Sequence, residues 1–280
     1  MLTRNPNRRH IPLGARQAAA VIHFLFPASP FDPKEPDEPF RAQQFAIKRA
    51  GFSWSVCSDA HFDGAERLRN VPVGSTVVYR GWMVTPAQYE SFTNAIAHCG
   101  AAPLISAADY LACHYLPNWY PLIRDLTPET VVVPQDSDLS TEFGKLGWDA
   151  FFIKDYVKSL KTGPGAIART PTEALAILNG MRAYRGEIEG GLCLRRVEDF
   201  EEQSETRYFV LRGRAHHPTN GEILKIVQSS VRCISSPFFS VDVARRRDGD
   251  LRIIEIGDGQ VSDLVGWSPE AFAELWSSLR

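Results

Sequence analysis

The sequence predicts an open α/β lobe with a partly parallel sheet, followed by a second half of α+β character. Three observations carry this. Residues 20–105 alternate short apolar runs with helical patterns, the signature of strands joined by helical crossovers. Beyond residue 127 strand patterns dominate, with glycine turn signals at Arg212-Gly213 and Asp248-Gly249. The chain has 280 residues, 44% hydrophobic and 23% charged, which suits two domains or one multi-lobed globular unit.

Residues 1–18 form a basic stretch expected to be a disordered leader rather than a signal peptide, because its apolar part is short and runs into a first strand. That strand is AVIHFLF, residues 20–26. The proline-rich loop after it cannot be regular structure, because proline fixes φ and removes donors. Residues 39–51 read as an amphipathic helix with apolar points at Phe40, Phe45 and Ile47 and a stop at Gly51. FSWSVCS and VGSTVVYRGW contain the second and third strands, and APLIS the fourth. Between the last two, Thr85 caps a strong helix, with Pro86 at its first position and Gly100 beyond its end. Ligands of such sheets sit beyond the carboxyl ends of strands, which is where Arg80 lies.

Residues 107–127 read as helix in two pieces broken at Pro117, and the first lobe ends near 127. FFIKDYVKSL then reads as a strand with Phe152, Lys154, Tyr156 and Lys158 on one face. KTGPG, residues 161–165, is a glycine loop. TPTEALAILNGMRAYRG is a helix capped by Thr170 or Thr172. GGLCLRRVEDF is a strand, ETRYFVLRGRAHHP a hairpin and ILKIVQSS a further short strand. Ser268 and Pro269 start a closing helix.

The net charge of -2 gives no global case for nucleic acid or an anionic membrane. No apolar run approaches the roughly 20 residues that span a bilayer. Five widely spaced cysteines without a CxxC pattern exclude a zinc knuckle or a disulfide framework and fit a reducing cytoplasm. No nucleophile elbow occurs, so nucleophilic hydrolysis is unsupported.

The most informative segment is 238–264. With Asp248-Gly249 as its turn, Asp242 falls opposite Glu255, and like charges in that relation destabilise a strand pair unless a cation sits between them. Asp258 offers a third oxygen. Hard oxygen ligands without His or Cys suit Mg²⁺, which usually also binds phosphates. A solvent-facing carboxylate or a slipped register is the plainer alternative. Lys154 and Lys158 suit phosphate, or else guard a wet edge strand. Arg207, between Glu205 and Phe209, suits a developing oxyanion, or else a surface pair with Glu205.

In this order the pieces resemble the ATP-grasp superfamily, and more closely its clade named for one arginine and two lysines. The hallmarks are Val78-Tyr79-Arg80-Gly81-Trp82-Met83, then Phe152-Ile153-Lys154-Asp155-Tyr156-Val157-Lys158-Ser159, then Glu255-Ile256-Gly257-Asp258-Gly259-Gln260-Val261-Ser262. HYLPNWY and DLTPETVVVP also look like that clade, and the resemblance covers roughly residues 20–280. It implies a pre-grasp lobe over 19–127 and an ATP-grasp module over 128–280, whose α+β subdomains, about 150–200 and 201–280, clasp ATP. It implies that Lys154 and Lys158 hold phosphates, and that the segment Arg195-Arg196-Val197-Glu198 forms the hinge, its backbone reading adenine. Arg80 and Arg207 would face the acyl-phosphate and substrate carboxylate, and Asp242, Glu255 and Asp258 would hold Mg²⁺. Many members carry an asparagine two residues after the metal glutamate; here Gly257 stands there, and the role passes to Asp258. Arg196 stands where a glutamate is common.

The activity so implied is ATP-dependent joining of a small-molecule or peptide carboxylate to an amine in the cytoplasm, with neither nucleic acid nor membrane as partner. A catalytically silent ATP-binding regulatory protein and a small-molecule phosphotransferase are the alternatives.

Overall fold

The computed structural model describes residues 21–159 and 165–279. The expected leader and, apart from Gly165, the glycine loop lie outside them.

The first lobe starts with β1 (Ile22–Pro27), whose six residues are all buried. A 3-10 turn leads into α1 (Arg41–Arg49), then β2 (Ser53–Cys57) and the single turn α2 (Asp59–Phe62). β3 (Thr76–Tyr79), α3 (Pro86–His98) and the short β4 (Ala102–Pro103) complete a parallel sheet of order β2-β1-β3-β4. Thr85 and Gln88 form a reciprocal capping box at the start of α3, as its sequence predicts. The face of α1 differs from the expectation: Gln43, Gln44, Ala46 and Ile47 are buried and Phe45 is exposed.

Two helices, α4 (Ala107–His114) and α5 (Leu116–Ile123), cross from this lobe towards the last sheet. Their break is at Tyr115, so Pro117 lies in the first turn of α5, where its missing N–H costs nothing. The central sheet has the order β5-β8-β6-β7, antiparallel throughout. It is built from β5 (Thr130–Val133), β6 (Phe151–Asp155), β7 (Ile167–Ala168) and β8 (Leu192–Arg196), with α6 (Leu139–Leu146) and α7 (Pro171–Arg185) beside it. The central unit therefore takes its edge strand from well before residue 150. β6 is shorter than expected. Asp155 Oδ1 accepts from the amides of Val157 and Lys158, turns the chain, and takes Tyr156 and Lys158 off the strand face.

The last sheet has the order β10-β9-β11-β12. Its strands are β9 (Thr206–Leu211), β10 (Arg214–His216), β11 (Phe238–Arg245) and β12 (Leu251–Asp258). The β9–β10 turn holds Arg212 and Gly213 at φ 47° and 76°, the left-handed geometry a tight hairpin needs. The segment expected as a strand at ILKIVQSS is instead α8 (Lys225–Cys233). Its apolar run continues at helical spacing through Val227 and Val231, and Val227 packs into the core.

The chain ends in α9 (Pro269–Leu275), capped by Ser268, and a 3-10 turn over Trp276–Leu279. This end returns to the first lobe. Trp276 is fully buried, with its ring 5.2 Å from Phe24 of β1 and 4.7 Å from Phe238 of β11. All five cysteines are free thiols. Among the described residues no helix is long and apolar enough to cross a membrane.

Because Trp276 fills the seam between two sheets, Trp276→Ala should lower unfolding free energy by about 3–5 kcal/mol in a urea titration. A loss under about 1 kcal/mol would mean that the seam does not hold the lobes together.

Candidate active site

A cleft of about 610 Å³ opens between the central and last sheets, with His114 and Met83 reaching it from the amino-terminal half. Its central wall follows from strand alternation. β6 and β8 pair Lys154 with Cys193 and Phe152 with Arg195, so these four share one face. Phe152, Lys154 and Arg195 line the cleft, and Lys158 joins them from the turn after β6.

The opposite wall is the carboxylate hairpin. Asp242 does lie directly opposite Glu255, by a route different from the simple turn. Arg245 pairs with Leu251 and Ala244 with Arg252, one residue off the register of a two-residue turn. A bulge at Ile254 then restores the offset, so that Asp242 meets Glu255. The Ile254 carbonyl accepts from Arg195 Nη1 at 2.7 Å.

Each carboxylate has its own cation. Arg207 forks onto Asp242, with Nε to Oδ1 at 2.7 Å and Nη2 to Oδ2 at 2.5 Å. Lys154 Nζ donates to Glu255 Oε1 at 3.2 Å, joining the two sheets across the cleft. Burial pushes Asp242 upward in pKa despite the Arg207 fork. For Glu255 burial also works upward, but Lys154, Arg207 and Arg195 outweigh it and hold the carboxyl below its ordinary value.

Two expected site residues are placed differently from the expectation. Arg80 is 1% exposed and is not part of the cleft lining. Its Nε donates to Gln43 Oε1, and Nη1 donates to the carbonyls of Gly259 and Gln260. Its guanidinium lies over the Phe272 ring, and burial lowers its pKa to about 9. It fastens the end of β3 to the turn after β12. Asp258 is fully buried, and Oδ1 accepts from the Gln260 backbone amide at 3.0 Å. It touches the cleft lining, but it pairs with Phe239, one pleat away from the face that carries Asp242 and Glu255, so the strand does not present it beside them. Among the described residues no three Asp, Glu, His or Cys side chains form a metal-binding group.

Glu198 accepts from Arg252 Nε at 3.1 Å and pairs with Arg246 Nε at 3.5 Å. Glu198 is thus pinned to the hairpin, so part of the arginine run at 245–247 has a structural task. The Val197 amide donates to Ala150 O, while Arg196 lies at the cleft edge.

Four further residues line the cleft: Arg195, His114, Ser240 and Ser262. Arg195 Nη2 donates to Thr127 Oγ1, and its Nε is buried without a partner. His114 lies against Tyr110, with ring centroids 4.7 Å apart; burial, with Lys158 and Lys154 nearby, lowers its pKa to about 4 and leaves it neutral at physiological pH. Ser240 and Ser262 share a hydrogen bond of 2.8 Å beside Gly257.

The donor set suits a hard cation. Mg²⁺ keeps several waters and is bound through one or two carboxylates plus phosphates, which Glu255 and Asp242 can supply with no nitrogen or sulfur ligand beside them. A two-walled, cation-lined cleft, with Glu198 pinned to its hairpin, is the setting in which the chain's class is defined: it is an ATP-grasp protein. More narrowly, a family model matches residues 121–279, over half of the chain. It describes an ATP-grasp domain, family 3 of the clade named for one arginine and two lysines, and the chain belongs to that family. No curated protein matches it. Solved structures share the fold. D-cycloserine synthetase DcsG is 13% identical at TM-score 0.62, over 92% of this chain and 99% of that one. ATP-grasp ligase PsnB complexed with minimal precursor, Mg and ADP is 12% identical at TM-score 0.57, over 92% and 98%. An ATP-grasp RimK domain protein from Sphaerobacter thermophilus DSM 20745 is 13% identical at TM-score 0.58, over 91% and 98%.

Burial raises the Asp258 pKa to about 7 from the ordinary 3.8. The folded state then holds this proton more tightly than the unfolded chain. Its stabilising contribution is complete below about pH 4 and is lost as pH rises through about 7. Asp258→Asn should remove this dependence: stability relative to the parent should rise between pH 4 and 8 by up to about 4 kcal/mol, read from urea unfolding across that range. A pH-independent difference would refute the assignment.

Proposed function

We propose that this protein is an ATP-dependent carboxylate–amine ligase that forms a C–N bond through an acyl-phosphate and releases ADP. The observation that carries this reading is the cleft itself, where Lys154, Lys158, Arg195 and Arg207 converge beside the opposed pair Asp242 and Glu255. Such an arrangement suits a polyanion held with a divalent cation, and no nucleophilic side chain is needed.

In the proposed reaction a substrate carboxylate oxygen attacks the γ-phosphorus of ATP, and the bond to the β,γ-bridging oxygen breaks as ADP leaves. The amine nitrogen then attacks the acyl carbon, the carbon–oxygen bond breaks, phosphate departs, and the amine proton passes to solvent. Lys154 and Lys158 bind and orient the phosphates, and Arg207, freed in part from Asp242, neutralises charge on the transferring group. Asp242 and Glu255 would hold Mg²⁺, which would supply charge neutralisation and alignment. Arg196, Val197 and Glu198 place the hinge against the adenosine. Arg80 supports the cleft from behind. PsnB, whose structures hold a precursor peptide, makes a peptide acid as reasonable a substrate as a small one.

The test supplies Mg²⁺, ATP, a pool of carboxylic acids and hydroxylamine as the amine. The ligase reading expects ADP together with a hydroxamate, and Lys154→Met should slow ADP release by roughly a hundredfold or more. ATP-dependent thermal stabilisation without ADP would instead make the chain a silent nucleotide-binding protein. ADP with a phosphorylated product and no hydroxamate would make it a phosphotransferase.

A further inference from the structure

The hydroxyl pair beside Gly257 has a proton arrangement that leaves one acceptor unused. Ser262 Oγ donates to the Asp258 carbonyl at 2.8 Å. Either hydroxyl can donate across their 2.8 Å contact, and with the Ser262 proton assigned to that carbonyl the donor is Ser240. The alternative for Ser240, the Gly257 carbonyl at 3.5 Å, is at the limit of a hydrogen bond. Both serines line the cleft, and among the described residues no hydrogen bond is donated to Ser240 Oγ. Its lone pairs are therefore available to a cation.

Its position is set by register. Ser240 pairs with Gly257 as Asp242 pairs with Glu255, so these four positions share one sheet face in two adjacent rungs. Gly257 keeps the space between Glu255 and the hydroxyls open. A Cβ there would lie 2.9 Å from both Ser240 Oγ and Ser262 Oγ, closer than such atoms approach.

We propose that Ser240 Oγ is the third protein oxygen of the Mg²⁺ site, with Asp242 and Glu255, and that Ser262 orients it by accepting its hydrogen bond. This rests on the ATP reading above, and it gives the third position to Ser240 rather than Asp258. A neutral hydroxyl adds an oxygen without adding a third negative charge to two opposed carboxylates.

The test is Mn²⁺ titration followed by electron paramagnetic resonance, with the non-hydrolysable analogue AMP-PNP. AMP-PNP affinity in EDTA is measured alongside. Ser240→Ala should weaken Mn²⁺ binding in the ternary complex by roughly tenfold while leaving metal-free AMP-PNP affinity and melting temperature unchanged. Gly257→Ala should weaken Mn²⁺ binding to a similar extent by displacing the hydroxyls, with some loss of melting temperature from the crowding, and adding Ser262→Ala and Ser240→Ala to it should bring no further loss of Mn²⁺ affinity. Mn²⁺ affinity of Ser240→Ala equal to the parent's would overturn the proposal and leave the ligase reading intact. A parent protein that binds no AMP-PNP would overturn both.

Discussion

The ion pair between Lys154 and Glu255 is the interaction on which the site depends. With the Arg195–Ile254 hydrogen bond it joins the central sheet to the last sheet across the cleft, and it sets two buried or half-buried charges against each other at 3.2 Å. Lys154 is 5% exposed, and a buried ammonium without a partner would be strongly destabilising. Glu255 in turn cannot lie opposite Asp242 unless both are neutralised, and Arg207 completes that arrangement from β9. The two pairs are therefore coupled. Removing either cation leaves two carboxylates facing each other, and removing either carboxylate leaves a cation in the cleft wall.

A second set of contacts holds the first lobe to this arrangement without entering the chemistry. Arg80 and Gln260 run in opposite directions across the same seam. Arg80 donates to carbonyls of the turn after β12, and Gln260 Oε1 accepts from the Tyr79 amide while Nε2 donates to Tyr89. The turn that follows the acidic strand is thus built on the end of β3. The position of Glu255 depends on packing in a lobe far from it in sequence, and Trp276 closes the same seam from the other side.

Much of this is legible in the sequence because its signals are local. The cap of α3 at Thr85, the β9–β10 turn at Arg212-Gly213, and the charge conflict of Asp242 with Glu255 each follow from a few adjacent residues. What is not legible depends on partners distant in the chain. Arg80 looks like a ligand residue at the end of a strand, and only the packing of Gln43, Phe272 and the 259–260 backbone around it shows that it is enclosed. Strand alternation puts Lys158 on one face with Lys154, but Asp155 ends the strand through its own side chain and brings Lys158 to the cleft from a turn. The start of α8 fits the strand period as well as the helical one, and the longer run through Val231 decides for helix. The bulge at Ile254 has no sequence signal, and it leaves the Asp242–Glu255 pairing of the simple register unchanged.

The charges of the cleft also constrain what can bind there. Lys154 and Arg207 are each matched by a carboxylate, while Lys158 and Arg195 bring further positive charge to the same wall. An incoming polyphosphate competes with Glu255 for Lys154 and with Asp242 for Arg207. A phosphate alone would release two carboxylates into a low-dielectric wall, at a cost that rises as water is excluded. A phosphate accompanied by a divalent cation exchanges partners without leaving any of the four unpaired. That exchange is why nucleotide and metal should bind together more tightly than either does alone. It is also why a neutral hydroxyl, rather than a third carboxylate such as Asp258, suits the remaining position beside Gly257.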